Sequence, residues 1–441
     1  MKRLKIIILL SVGIFFLGSI NLAQAISKDG KIHKNISIMS VDVSKLSKLE
    51  AKTKLEKIIN KYNKMSLVNK DEVYKINMKD ILVIYNIDEA VEKAYNIGRD
   101  KDIISNIKTN INLYLGECKN IKLTYTYNEN LLNKYINNLK ESIYKEPIDA
   151  TIKLENNKLE YKKEVNGSKL NTENIKRIII SKIDKIFINQ DEIKIIDIKP
   201  KYTYSELSKI DTILGTYETY FNTKLNNRVN NINVAAEATN NIIVNPLEEF
   251  SFNYYVNKNN IQSKFEKAPV IINGKLKPGL GGGICQVSST MYNAALYAGL
   301  EITNVKNHSI PSSYVSKGRD ATVATGDLDF KFKNQYNSPI LITHKIDNNK
   351  IVTTIYGNKE DKKDIEVITE IIKSIPNKIK IRNSEELYEG EKTIYQKGRV
   401  GYKVNTIRID RTNESKKTEL ISQSYYPPKD KIVEYGTKKK N

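Results

Sequence analysis

Tryptophan is absent from this 441-residue chain, and cysteine and histidine are scarce, at two and three residues. Two cysteines, Cys118 and Cys285, cannot build the disulfide framework of a small secreted scaffold. A chain of this length does not need one bridge to fold, and the two thiols fall in different candidate domains, so no bridge between them is expected. Together with His33, His308 and His344 they are too scattered to form a ligand set, and neither a metal site nor a cofactor is expected. The one glycine-rich loop is not followed by Gly-Lys-Ser/Thr, which excludes a nucleotide phosphate loop. No nucleic-acid-binding motif is present. Long apolar runs are limited to a single one, near the N-terminus.

That run, residues 6–22, follows Lys2, Arg3 and Lys5 and precedes Ala23-Gln24-Ala25. A charged n-region, an apolar h-region and a small-x-small site make a secretory signal. The run also approaches the roughly 20 residues that span a bilayer, so an uncleaved anchor to the cytoplasmic membrane fits as well. Under either reading residues 1–26 deliver the remaining chain outside the cytoplasm. The net charge is +21, or +18 without Lys2, Arg3 and Lys5. Such a charge solvates a surface; on an exported chain it also attracts anionic wall polymers or lipid headgroups. Nucleic acid is not an expected partner there.

The length predicts two to four domains. Residues 36–43 read as a strand, after which Ser47 caps a helix and Glu50 completes a capping box. Leu46 and Ala51 form the staple, and Leu55, Ile58 and Ile59 continue the buried stripe. A similar unit follows at Ser168-Lys169-Leu170-Asn171, with Ile175, Ile178, Ile179 and Ile183 on its helix, and suggests a duplicated strand–helix module. From about Leu207 the texture changes to Thr, Asn, Gly and aromatic residues. A helix is expected over 232–240, strand alternation at Phe250-Ser251-Phe252, a helix over 286–298, and strands over 330–334 and 340–346. Beyond Asp364 the chain is strand-rich, with spaced Gly390, Gly398, Gly401 and Gly436. The expected fold is multidomain α+β: N-terminal α+β strand–helix modules over 27–206, a central α+β domain over 207–360, and a small C-terminal all-β module over 361–441.

The chemistry concentrates in Gly279-Leu280-Gly281-Gly282-Gly283-Ile284-Cys285-Gln286-Val287-Ser288-Ser289-Thr290. Gly281, Gly282 and Gly283 permit left-handed backbone and close approach, and they deliver Cys285 to the first turn of a helix. The N–H groups and dipole there favour negative charge, so the thiol ionises more readily than a free one. Backbone N–H groups of Cys285, Gln286 and Val287 are candidates for an oxyanion site. His308 lies one helix and one strand downstream, where it can fold back over the thiol as its base. His344 is in phase with the apolar positions of a strand and reads as structural, and His33 lies in a linker. Arg319 can clamp a substrate carboxylate and Asp320 can orient His308, or the two can simply pair with each other. Ser288, Ser289 and Thr290 read as first-turn hydroxyls satisfying backbone groups, Ser288 being also a candidate substrate contact.

The run 278–295 resembles the core motif of VanW-domain proteins. The resemblance extends to Phe250-Ser251-Phe252-Asn253, His308-Ser309, residues 318–323 and residues 328–334, and covers about 207–357. Residues 36–200 are similar to the peptidoglycan-binding domain that often precedes it, and the C-terminal module to a G-five domain, with four of five glycines in place. The resemblance implies an L,D-transpeptidase acting on peptidoglycan stem peptides and glycan. Cys285 would attack the carbonyl joining the third and fourth stem residues and expel D-alanine. The amine of a neighbouring diaminopimelate would resolve the thioester into a 3-3 cross-link; water in its place would make a carboxypeptidase. A non-catalytic wall-binding scaffold is the other reading. The Ser-His-Gly-Cys pattern of the better-known L,D-transpeptidases is absent.

Overall fold

The computed structural model describes residues 30–439 except 157, 273–274 and 325–327. The candidate signal or anchor at 1–26 lies outside the described residues. Among the described residues no helix is long and apolar enough to cross a membrane. The chain folds as two compact units: residues up to Ile148 with Asn166–Lys199, and Asp149–Val165 with Pro200–Asn441.

The first unit contains both expected strand–helix modules. Helix Lys48–Lys61 begins at Ser47, whose hydroxyl accepts from the Glu50 N–H while Glu50 returns the bond, and it buries Ala51 and Leu55. Helix Thr172–Asp184 is capped by Asn171 and buries Ile175, Ile178, Ile179 and Ile183. The expected single strand over 36–43 is instead a hairpin, Ile36–Ile38 paired with Val41–Asp42. Met39 and Ser40 turn between them with φ of 48° and 61°. Two left-handed residues fit a two-residue hairpin loop, and neither carries the asparagine or glycine that normally advertises one.

The second unit is built on a four-stranded antiparallel sheet, in the order Thr212–Tyr220, Lys350–Gly357, Ile340–Asp347, Ile242–Val244. The hairpin Thr151–Glu155/Lys158–Lys162 belongs with it, because Ala150 and Ile152 share a core with Leu207, Ile210 and Leu341. Helix Ile284–Tyr297 packs on the sheet and is buried on every side from Gln286 to Leu296. The apolar spacing marks only one face, Val287, Met291, Ala294, Ala295 and Ala298. The other faces are polar but enclosed, as when Thr290 meets Thr219 at 2.7 Å. Helix Asn226–Ala238 begins six residues before the expected 232. Its asparagine-rich first turns, unfavourable by propensity, bond to neighbouring segments. Phe252 opens helix Phe252–Asn257 and does not extend strand Glu249–Ser251; Ser251 caps that helix at the Tyr254 N–H.

His344 sits in the sheet core between the hydroxyls of Thr239 at 3.0 Å and Thr353 at 2.9 Å. Burial drives its pKa from 6.5 down to about 3, so it stays neutral. An unfolded chain takes up a proton near pH 6.5 that the fold refuses. His344 therefore costs stability as pH falls from 6.5 towards 3, by about 1.4 kcal/mol per pH unit. His344→Gln should flatten that part of the urea-midpoint profile; an unaltered slope would show that the imidazole is not held neutral.

The C-terminal module is all-β. One sheet joins Ile365–Ile375, Gly401–Asp410 and Lys417–Tyr426; the other joins Ile379–Tyr388, Lys431–Lys438 and Lys392–Gln396.

Candidate active site

The hairpin Lys267–Ile272/Lys275–Leu280 leads directly into the glycine loop. Gly281 and Gly283 adopt φ of 77° and 120°. A Cβ on Gly282 would lie 2.6 Å from the Pro269 carbonyl oxygen, so only glycine lets the loop fold onto the hairpin. Asn231, fully buried, fastens both: its amide donates to the carbonyls of Gly282 at 3.0 Å and Glu266 at 2.9 Å, and its oxygen accepts from the Glu266 N–H at 2.8 Å.

The helix then opens with Cys285 at its second residue. The Ile284 and Gln286 N–H groups are taken up by the carbonyls of Gly281 (3.1 Å) and Gly283 (2.9 Å). The Cys285 N–H has no hydrogen-bond partner among the described residues. The Gln286 side chain points inward, donating to Thr219 and the Tyr220 carbonyl and accepting from Arg228 at 2.9 Å. Ser288 donates to the Ala321 carbonyl at 2.7 Å and Ser289 accepts from the Ala321 N–H at 2.9 Å. These two hydroxyls strap the segment carrying Asp320 onto the first turn.

The thiol of Cys285 is half-buried, with Sγ 3.4 Å from the Val323 carbonyl oxygen. His308 is buried beside it. Its Nδ1 lies 2.7 Å from Asp320 Oδ2, and its backbone N–H donates to the same oxygen at 2.7 Å. His308 also acts on the thiol, by hydrogen bonding and by charge. Burial alone would push the thiol pKa up. The His308 hydrogen bond and charge, the Val323 backbone and the Arg228 charge outweigh it and hold the thiol below its ordinary value. Burial would likewise neutralise His308, but Asp320 and the thiolate raise its pKa to about 10. Cys285, His308 and Asp320 are thus brought together, with the thiol pKa held down and the imidazole pKa held up.

Other residues singled out from the sequence lie elsewhere. Arg319 is directed into the fold, donating to Asn293 and the Val367 carbonyl and lying against the stacked rings of Tyr217 and Tyr297. It does not pair with Asp320, and this placement gives it a packing role. The cation beside the thiol is Arg228, which sequence reasoning missed, as it did Asn231. Tyr314 was also missed: it hydrogen-bonds Ser289 near the thiol, and burial pushes its phenol well up. None of the three belongs to a recognisable local pattern. Both cysteines are free, Cys118 being exposed in the first unit. Among the described residues no group of His, Cys, Asp or Glu is placed to hold a metal ion.

Residues 227–356, which include Cys285, His308 and Asp320, match the family model described as VanW like protein. The uncharacterized protein YoaR of Bacillus subtilis (strain 168) is 37% identical over 249 residues, spanning 55% of this chain and 78% of that protein. The chain belongs to the VanW-domain family. The Vancomycin B-type resistance protein VanW of Enterococcus faecalis (strain ATCC 700802 / V583) is 30% identical over 139 residues, 30% of this chain and 50% of that protein. Two further modules flank the VanW domain. Residues 74–187 match the model "Putative peptidoglycan binding domain" and residues 366–438 the G5 domain. An IgA1 protease G5 domain structure is 33% identical, covering 18% of this chain and 94% of its own at a TM-score of 0.15. A VanW domain between these modules makes the chain a cell-wall-related protein.

Proposed function

We propose that this VanW-family protein is an exported cysteine acyltransferase that forms 3-3 cross-links between peptidoglycan stem peptides. The observation that carries the reading is the buried Cys285–His308–Asp320 relay, with the thiol pKa held down and the imidazole pKa held up. A thiolate paired with an imidazolium is ready to attack a carbonyl without a prior proton transfer. Cys285 Sγ adds to the carbonyl of the third stem residue, and the oxyanion forms beside the unengaged Cys285 N–H. His308 gives its proton to the departing D-alanine amine as the C–N bond breaks and leaves a thioester. An amine of a neighbouring stem then attacks, His308 takes its proton, and Sγ leaves as thiolate. Asp320 holds the ring in the orientation both steps need. Arg228 is the cation positioned to meet a carboxylate of the donor peptide.

The wall-binding modules and the +21 charge support a place outside the cytoplasm on an anionic polymer. The N-terminal segment either retains the protein at the membrane or is removed. Purified protein incubated with disaccharide-tetrapeptides tests the reading by mass spectrometry. Dimers that have lost one D-alanine are expected, and none with Cys285→Ala. D-alanine loss without dimers would mean hydrolysis, no reaction would mean a scaffold, and dimers from Cys285→Ala would remove the nucleophile.

A further inference from the structure

The relay does not end within the VanW domain. Asp320 has a second oxygen, and the hydroxyl of Tyr426 donates to its Oδ1. Tyr426 is the last residue of strand Lys417–Tyr426 in the C-terminal β module, and its side chain is fully buried. The same hydroxyl accepts from the Gly318 N–H at 2.7 Å, two residues before the carboxylate. Thr406, on the adjacent strand of that sheet, donates to the Gly318 carbonyl at 2.7 Å. Tyr425 grips the other half of the relay: its carbonyl accepts from Asn307 at 3.0 Å and its N–H donates to the same side chain at 3.3 Å. Asn307 also donates to the His308 carbonyl at 2.7 Å. Both segments that bring His308 and Asp320 to the thiol are therefore held by one strand end of a module whose sequence carries no catalytic pattern.

We infer that Tyr426 is a positioning residue of the thiol site, so that the G5-matched module completes the relay as well as binding or spacing. A carboxylate buried with one oxygen on an imidazolium can rotate or withdraw unless the other oxygen is held. The Tyr426 hydroxyl holds it, and through Gly318 it also holds the loop. The inference takes its chemical consequence from the acyl-transfer reading, but its test does not depend on that reading.

The test is the pH profile of Cys285 alkylation by iodoacetamide in the full chain, with circular dichroism melts to confirm folding. Tyr426→Phe keeps the ring and removes only the hydroxyl. Its rising limb should move up by about one pH unit, with an approximately tenfold lower rate on the acid side. Thr406→Val removes the neighbouring bond to Gly318 and should leave the profile in place. An unmoved profile in Tyr426→Phe overturns the inference, and so does an equal shift in both variants, which would mean docking alone matters. A shift in Tyr426→Phe while the wild type forms no cross-linked dimers would retain the positioning role and reject the transpeptidase. Dimers from the wild type with no shift in Tyr426→Phe would do the reverse.

Discussion

Replacing His308 with alanine is expected to slow alkylation of Cys285 at pH 7 by about tenfold or more. The thiol's ordinary pKa is 9.0, and burial pushes it higher; His308 supplies the leading opposing interaction. Without the imidazolium the thiol moves back towards its ordinary value, two units above pH 7, where a thiol is about 1% ionised. In the wild type the sign runs the other way. Reactivity is lost only as pH falls through the depressed thiol pKa, and the imidazolium survives until pH rises through about 10. The rising limb of the profile should therefore move to higher pH. Exposed Cys118 serves as the internal control, since its rate should not change. Rates for Cys285 within twofold of wild type in His308→Ala would mean that the pair does not set its reactivity.

Asp320→Ala carries the largest expected loss of stability, about 3–5 kcal/mol by urea unfolding. Asp320 is 2% exposed and serves the His308 ring, the His308 N–H and the Tyr426 hydroxyl. Deleting the carboxylate strands a buried imidazole and two donors together, which is more costly than never having placed a charge there. Asp320→Asn keeps the size and one acceptor, so its loss should be smaller. Its thiol reactivity should still fall, because a neutral amide no longer holds the imidazolium. Equal stability of Asp320→Ala and wild type would show that the relay is open to solvent.

The elements legible in the sequence were those with local signals. Ser47 and Glu50 announce a helix start through bonds made within four residues, and the helix forms where they stand. Glycines 281–283 announce a tight approach, and each has its physical reason in the loop. Helix Ile284–Tyr297 was half legible. Its apolar stripe is periodic, but Gln286, Ser288, Ser289, Thr290 and Asn293 lie off that stripe and are buried as well. Their bonds run to Thr219, Ala321 and Arg319, 26–71 residues away in the chain, and no window along the sequence contains both partners. Arg319 misled for the same reason. An arginine beside an aspartate suggests a pair or a clamp, whereas the fold places it against two stacked tyrosines from separate elements.

The sequence alone determined the modular order, the family, the α+β class and the thiol at the head of a glycine-cradled helix. Each of these rests on composition, short motifs or periodicity, which survive without knowledge of distant contacts. Only the tertiary structure decided what acts on that thiol. It brought His308 and Asp320 to Cys285, put Arg228 rather than Arg319 beside it, and drew Tyr426 from the C-terminal module onto the carboxylate. A pKa is set by burial and by charges within a few ångströms. Those neighbours come from segments up to 141 residues from the cysteine along the chain, so the lowered pKa of Cys285 is a property of the fold.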